Sequence, residues 1–207
     1  MNDLTILPFG PILAKTEVTQ DELKKLREYS THTKDNVNHN LAACCEEQLS
    51  FEDSYNEKIF EIIHPKINEY LKSVGHIKYN ENLGFDFKYQ ALWLVNQKAG
   101  EFNPMHDHAS DVSFVVYLDI PEEIYGEGRT TTGIPAGAIE FVYGKDVQGY
   151  RKEHFLNPIN NHIHIPVSGE MFIFPSTLFH HVNSFKSEVT RVCIAGNIVI
   201  TDIGNIN

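Results

Sequence analysis

"FDFKYQALWLV", residues 85–95, alternates large apolar side chains with polar ones along most of its length. Phe85, Phe87, Tyr89, Ala91, Trp93 and Val95 occupy every second place, so the spacing predicts a β-strand with these six on one side. Downstream, "VSFVVYLD", "AIEFVYG", "HIHIPV", "EMFIFP" and "TRVCIAGNIVI" are further strand candidates, divided by Gly-, Pro- and Asn-rich stretches such as "GEGRTTTGIPAG" and "NPINNH". Many strands without intervening helical patterns predict a mainly β chain, folded as an antiparallel sandwich.

Upstream of residue 83 the period is helical. In "TQDELKKLREYS", Thr19 precedes Glu22 by three, the spacing of a capping box, and Leu23 and Leu26 follow. "SYNEKIFEIIHPKINEYLKSVG" repeats the device with Ser54 and Glu57. Ile59, Phe60, Ile63, Ile67, Tyr70, Leu71 and Val74 then form a helical stripe, which Pro65 is expected to bend or split. "NLAACCEEQL" between them reads as a short helix. The expectation is a single domain over residues 1–207, with a helical part over 1–80 packed on one sheet of a β core over 83–203.

A chain of 207 residues can bury roughly 70% of its unfolded surface. Its formal charge of −11 argues against a general binder of nucleic acid or anionic membranes, which need a positive field. The start, "MNDLTILPFGPILAK", lacks the basic opening and apolar core of a signal peptide, and no apolar run approaches the ~18 residues of a membrane span. Cys44 and Cys45 are neighbours, with Cα atoms ~3.8 Å apart, too close for an ordinary disulfide. With Cys193 the third cysteine, a reduced, cytoplasmic setting is expected.

The eleven histidines supply the candidate chemistry. In "NPMHDHASD", the strand period puts His106 and His108 on one face, where two imidazoles can share a divalent metal; the alternative is a pair of polar turn residues. His162 and His164 form a second H-x-H in "NHIHIPV", alternating with Ile163 and Ile165, which suits histidines that line one face of a sheet. In "FPSTLFHHV", only one of His180 and His181 can face a shared site on a strand. Arg191 heads the apolar run "VCIAGNIVI": either an exposed strand end or salt bridge, or a guanidinium that grips both oxygens of a carboxylate.

Read in order, "ALWLVNQKAGEFNPMHDHASDVSFVVYLDIP", "GAIEFVYG", "SGEMFIFPSTLFHHV" and "RVCIAGN" resemble the iron(II)- and 2-oxoglutarate-dependent oxygenases, over roughly residues 89–200. The similarity is to the prolyl-hydroxylase-like branch, which includes small versions carried by tailed phages, so a host-cytoplasmic, phage-like protein is implied. The resemblance implies a double-stranded β-helix (jelly roll), with Fe(II) as metal, 2-oxoglutarate as cosubstrate and O2 as oxidant. By position it makes His106 and His180 iron ligands, Arg191 and Tyr117 the holders of the far carboxylate of 2-oxoglutarate, and Asn96 a further cosubstrate contact. It implies hydroxylation of an unidentified peptide or small molecule, peptidyl proline first, with succinate and CO2 as co-products.

Two departures from that pattern stand out. No histidine has an Asp or Glu two residues on, as the family's usual H-x-D would require; His108 stands there, which implies a three-histidine site. Asp107 and Asp111 are the nearby carboxylates, at other spacings. Three neutral ligands leave the metal's charge undiminished, which should strengthen cosubstrate binding. Cys193 stands where relatives often have a serine, and a thiol is a weak donor, so Arg191 and Tyr117 would carry the grip. Two alternatives remain: a three-histidine cupin-like dioxygenase needing no 2-oxoglutarate, and a metal- or ligand-binding jelly roll without catalysis. Arg191 and Tyr117 count against the first, the missing carboxylate for the second. "YGEGRTTTGIPAG" reads as a flexible cover for the site or a simple hairpin connection.

Overall fold

The predicted strand, residues 85–95, lies within β4, Leu83–Gln97, which pairs antiparallel along its length with β11, Arg191–Asn205. The structure, a computed structural model, describes residues 10–42, 44–128, 133–144 and 160–205. Five further strands complete β4 and β11 into a seven-stranded sheet: β1 (Ala14–Glu17), β2 (Thr33–Asn36), β3 (Glu47–Phe51), β6 (Val112–Asp119) and β9 (Glu170–Pro175), in the order β1-β9-β6-β11-β4-β3-β2. A second sheet has the order β5-β10-β7-β8, from β5 (Asn103–His106), β7 (Ile139–Val142), β8 (Asn161–His164) and β10 (Phe179–Val182). The strand pairs are antiparallel throughout, giving the mainly β, double-stranded β-helix expected.

β4 differs from its predicted pattern in one respect. In its ladder with β11, Ala91 opposes Asn197 and Tyr89 opposes Ile198, leaving Gln90 as an extra residue, a β-bulge. The bulge reverses the alternation. Phe85, Phe87 and Tyr89 pack on the helical side, but beyond Gln90 that side belongs to Leu92 and Leu94. Trp93 and Val95 turn to the interior between the sheets. The six residues read as one face are therefore split between two.

The helical layer covers the outer face of the larger sheet. α1, Gln20–Tyr29, has the predicted capping box: Thr19 Oγ1 accepts the Glu22 N–H at 3.2 Å and the Glu22 carboxylate accepts the Thr19 N–H at 2.8 Å. α2, Asp53–Tyr79, starts after Glu52 with no side-chain cap, so Ser54 and Glu57 lie inside the helix and form none. It is not split at Pro65. Burial of Ile63, Ile67, Tyr70 and Leu71 on both sides of the proline offsets its lost N–H bond. "NLAACCEEQL" is not helical: a 3-10 turn at Asn38–Asn40 leads into β3, where Leu49 pairs with Leu94 of β4. Tertiary pairing here overrides local propensity, and the first eighty residues contribute three strands as well as two helices.

Two apolar layers result. Leu26, Ile59, Ile63 and Ile67 join Phe114, Val116, Ile194 and Ile198 in the layer under the helices. Each fully buried isoleucine there contributes on the order of 1.5–3 kcal/mol. Gly196 lets this layer close, since a Cβ on it would meet Leu92 at 2.5 Å and the Phe114 ring at 2.6 Å. Val115, Tyr117, Phe172, Phe174 and Cys193 pack with Ile139 and Phe141 of the smaller sheet and with Leu178 just before β10. A short helix α3, Glu122–Gly126, follows β6. The glycine- and threonine-rich connection after it falls partly outside the described residues. No described helix is long and apolar enough to cross a membrane, and the three cysteines are free.

Candidate metal centre and cosubstrate cavity

His106 ends β5 and His180 lies directly across from it on β10. Cross-strand partners share a face, so the two rings meet with centroids 4.2 Å apart. His108, two residues on, returns to that face, held by its backbone N–H on the Ser176 carbonyl at 2.9 Å. Its ring lies 4.9 Å from His106 and 5.2 Å from His180. One ligand nitrogen from each of the three falls within 4.8 Å of the others. Small side-chain rotations would bring them to the ~2.0–2.1 Å at which imidazoles hold a divalent ion.

Hydrogen bonding fixes which nitrogen is available. His106 Nδ1 lies 2.7 Å from the Pro104 carbonyl and His180 Nδ1 lies 2.9 Å from the Leu178 carbonyl. A carbonyl only accepts, so each Nδ1 carries the proton and each Nε2 keeps its lone pair for a metal. Burial lowers the pKa of all three, to about 4 for His108 and about 3 for His180, with the neighbouring His106 adding to both shifts. They are neutral ligands at pH 7.

The other two histidine motifs are engaged elsewhere. His164 Nε2 meets Glu170 at 2.6 Å, and Glu170 also holds Lys15 at 2.7 Å. His162 is exposed beside it. His181, on the opposite face of β10 from His180, lies 3.3 Å from Glu140. Asp107 is exposed, and Asp111 accepts the Ile200 N–H at 2.8 Å.

Across the cavity from the histidines lies Arg191, 2% exposed. His108, His180, Trp93, Phe174, Tyr117 and Arg191 all line this space, whose empty volume, open solvent included, is about 410 Å³. The guanidinium sits over the Tyr117 ring, 5.0 Å from its centroid, and its Nη1 donates to Gln97 Oε1 at 2.7 Å. Among the described residues, Arg191 Nε and the Tyr117 hydroxyl are both buried without a hydrogen-bond partner. Arginine only donates, so the Tyr117 proton has no acceptor beside it. Burial raises the phenol's pKa and keeps it a donor. Two unused donors and a buried cation form a cradle for a carboxylate. Cys193, also lining the cavity, is a buried thiol with its pKa raised by burial.

Asn96 is not part of this group. It sits on the other face of β4 from Trp93 and Gln97, and its amide donates to Glu47 at 3.1 Å. The residue next to it, Gln97, does contact Arg191. Its Nε2 donates to the Glu101 carbonyl at 2.7 Å and the Asn183 carbonyl at 3.1 Å, which leaves Oε1 as the only atom it can offer the guanidinium. Sequence reasoning missed Gln97, although continuing the alternation from Trp93 and Val95 by one step reaches it.

The described donor set fits both groups that a 2-oxoglutarate-dependent oxygenase needs: neutral imidazoles for a divalent metal, and an unsatisfied cationic cradle for a diacid. Comparison with known proteins agrees. Residues 91–197, just over half of the chain, match the family described as "Putative 2OG-Fe(II) oxygenase". No curated protein matches. Among solved structures, the chain is similar to a 2OG-Fe(II) oxygenase family protein from Burkholderia pseudomallei, with a TM-score of 0.56 and 12% identity over 90% of this chain and 84% of that one. It is also similar to HygX from Streptomyces hygroscopicus with nickel, 2-oxoglutarate and hygromycin B bound (TM-score 0.51, 13% identity, 93% and 83% covered). A third is a prolyl-4-hydroxylase from Pseudomonas putida (TM-score 0.50, 15% identity, 89% and 90% covered). At these identities the likeness speaks for the fold. With the family match over its β core, the chain belongs to the iron(II)- and 2-oxoglutarate-dependent oxygenases.

Proposed function

We propose that the protein is a hydroxylase in which His106, His108 and His180 hold Fe(II), while Arg191 and Tyr117 hold the far carboxylate of 2-oxoglutarate. The observation that carries this reading is one cavity lined at one end by neutral imidazoles and at the other by a buried cation and two unpartnered donors. When bound, the iron supplies dioxygen activation coupled to oxidative decarboxylation of the cosubstrate to succinate and CO2, with oxidation of a C–H bond in the substrate.

The chain's own residues bind and orient. The Pro104 and Leu178 carbonyls lock two imidazoles with Nε2 toward the cluster. Arg191 offers paired donors matched to a carboxylate, and Gln97 holds the guanidinium from behind. The Tyr117 hydroxyl donates its free proton to the same carboxylate. With the cradle and the histidines lining one cavity, a diacid held at one end by Arg191 is kept in register with the metal ligands. Phe174 and Ile139 line the space between and exclude water.

A cosubstrate-free three-histidine dioxygenase would have no use for a buried, half-satisfied arginine, so the diacid reading is preferred. Peptidyl proline is the first substrate to test. Anaerobic titration with Fe(II) and 2-oxoglutarate should give a visible charge-transfer band only when both are present, and aerobic turnover should release succinate. Absence of the band, with no affinity for 2-oxoglutarate, would overturn the reading.

A further inference from the structure

A second, wider depression opens beside the cosubstrate cavity. Trp93 and His108 line both, so the groove begins where the metal cluster ends. It offers about 1270 Å³ of space, open solvent included, against about 410 Å³ for the cavity. Val37, Asn40 and Leu41, from the connection between β2 and β3, build one wall, and Gln90, Ala91 and Leu92 at the β4 bulge build another.

The chemistry of the walls is one-sided. Among the described residues that line the groove there is no Lys or Arg, and the only formal charge is Asp107, beside His108. The Asp107 carboxylate is exposed and is not committed to any ion pair or hydrogen bond among the described residues. Tyr89, also in the lining, donates its hydroxyl proton to Glu57 at 2.7 Å. Asn56, on the helix side, has a buried amide oxygen with no donor among the described residues. The groove therefore has acceptors to spare and no cation, in a chain of net charge −11. With Asp107 as the only formal charge in the lining, the field disfavours an anionic ligand and steers in a cation.

We propose that this groove takes the primary substrate, and that the substrate is an organic cation: an amine- or guanidinium-bearing molecule whose charge lies near Asp107 and whose apolar part lies against Leu41, Ala91 and Trp93. That the bound cation is the molecule oxidised rests on the oxygenase reading; that the groove binds it does not.

Trp93 is the chain's single tryptophan, so its fluorescence reports the groove directly. The probe is an N-acetyl-Gly-Pro-Lys amide, whose α-amine is blocked, in three forms: free ε-amine, ε-acetylated and ε-succinylated. Titrated into the metal-free protein, the amine should perturb Trp93 emission with an affinity about fivefold above the acetylated form, as expected for one partly exposed ion pair. The succinylated form should bind weakest. High salt should erase the difference, and Asp107→Asn should bring the amine and acetylated forms level. Equal or tighter binding of either acylated form, or no response to any form at millimolar concentration, overturns the proposal. Succinate release by the iron-loaded protein is measured separately; its absence overturns the oxygenase reading and leaves the fluorescence order to decide the groove.

Discussion

Tyr117→Phe should move stability and cosubstrate affinity in opposite directions. The hydroxyl is fully buried and its proton has no acceptor. An unsatisfied buried polar group costs about 1–3 kcal/mol, part of which is returned when the oxygen is removed and lost again to the small void it leaves. The ligand-free variant should thus be as stable as the wild type or about 1 kcal/mol more stable, a rise in Tm of up to roughly 2–4 °C for a chain of this size. In the complex, the same hydroxyl donates to a carboxylate, a charge-assisted bond worth about 1.5–3 kcal/mol. Affinity for 2-oxoglutarate should fall roughly 10- to 150-fold. Thermal unfolding of the metal-free protein and anaerobic titration of the Fe(II) protein measure the two quantities independently. A variant that loses several degrees of Tm while keeping its 2-oxoglutarate affinity would mean that the hydroxyl serves packing alone, and the cradle would have to be abandoned.

The remaining expectations concern the other members of the site. His106→Ala and His180→Ala should abolish tight Fe(II) binding, read by calorimetry, whereas His162→Ala and His164→Ala should retain it; iron loss in the latter pair would move the metal to the other motif. Arg191→Ala should raise the KM for 2-oxoglutarate at least tenfold, and unchanged cosubstrate affinity would refute its role. Gln97→Leu leaves three groups without their partner, the buried Arg191 Nη1 and two part-buried carbonyls. It should cost about 2–4 kcal/mol in urea unfolding, and a neutral outcome would mean the guanidinium is anchored otherwise. The histidine cluster sets a pH dependence. Its folded pKa values lie below the ~6.5 of the unfolded chain, so the unfolded state takes up more protons and stability falls as pH drops from about 6.5 toward 4. The metal-free protein should lose stability over that window in denaturant titrations, and His108→Leu should flatten the slope; an unchanged slope would refute the neutral, buried state of that imidazole.

Much of the site could be read from residue spacing because its parts lie on short regular strands. His106 ends β5 and His180 joins it through a single ladder pairing, while His108, two residues past the strand, is returned to that face by its N–H on the Ser176 carbonyl. Arg191 was conspicuous as a cation heading an apolar run. What the spacing did not reveal came from long-range pairing. Nothing in "NLAACCEEQL" signals that residues 47–51 add to the edge of β4, since the docking strand supplies the reason. The bulge at Gln90 has no local signature, so a run of alternating residues was assigned to one face when it serves two. Asn96 and Gln97 were separable in principle: side chains one apart point oppositely, and only the odd-numbered one follows Trp93 inward.

The Gln90 bulge also limits how this protein can change. It acts as a phase step in a fifteen-residue ribbon, letting one continuous strand seat a helix with its first half and furnish a reaction chamber with its second. Excising that single residue would keep every hydrophobic side chain in the sequence yet exchange inside for outside along one half of the ribbon, driving Leu92 and Leu94 inward or Phe85 and Phe87 off the helix. Insertions and deletions on this strand are therefore tolerable only in pairs, whereas the neighbouring connection between β2 and β3, free of any such parity, is where new substrate preferences can be written without disturbing the chamber.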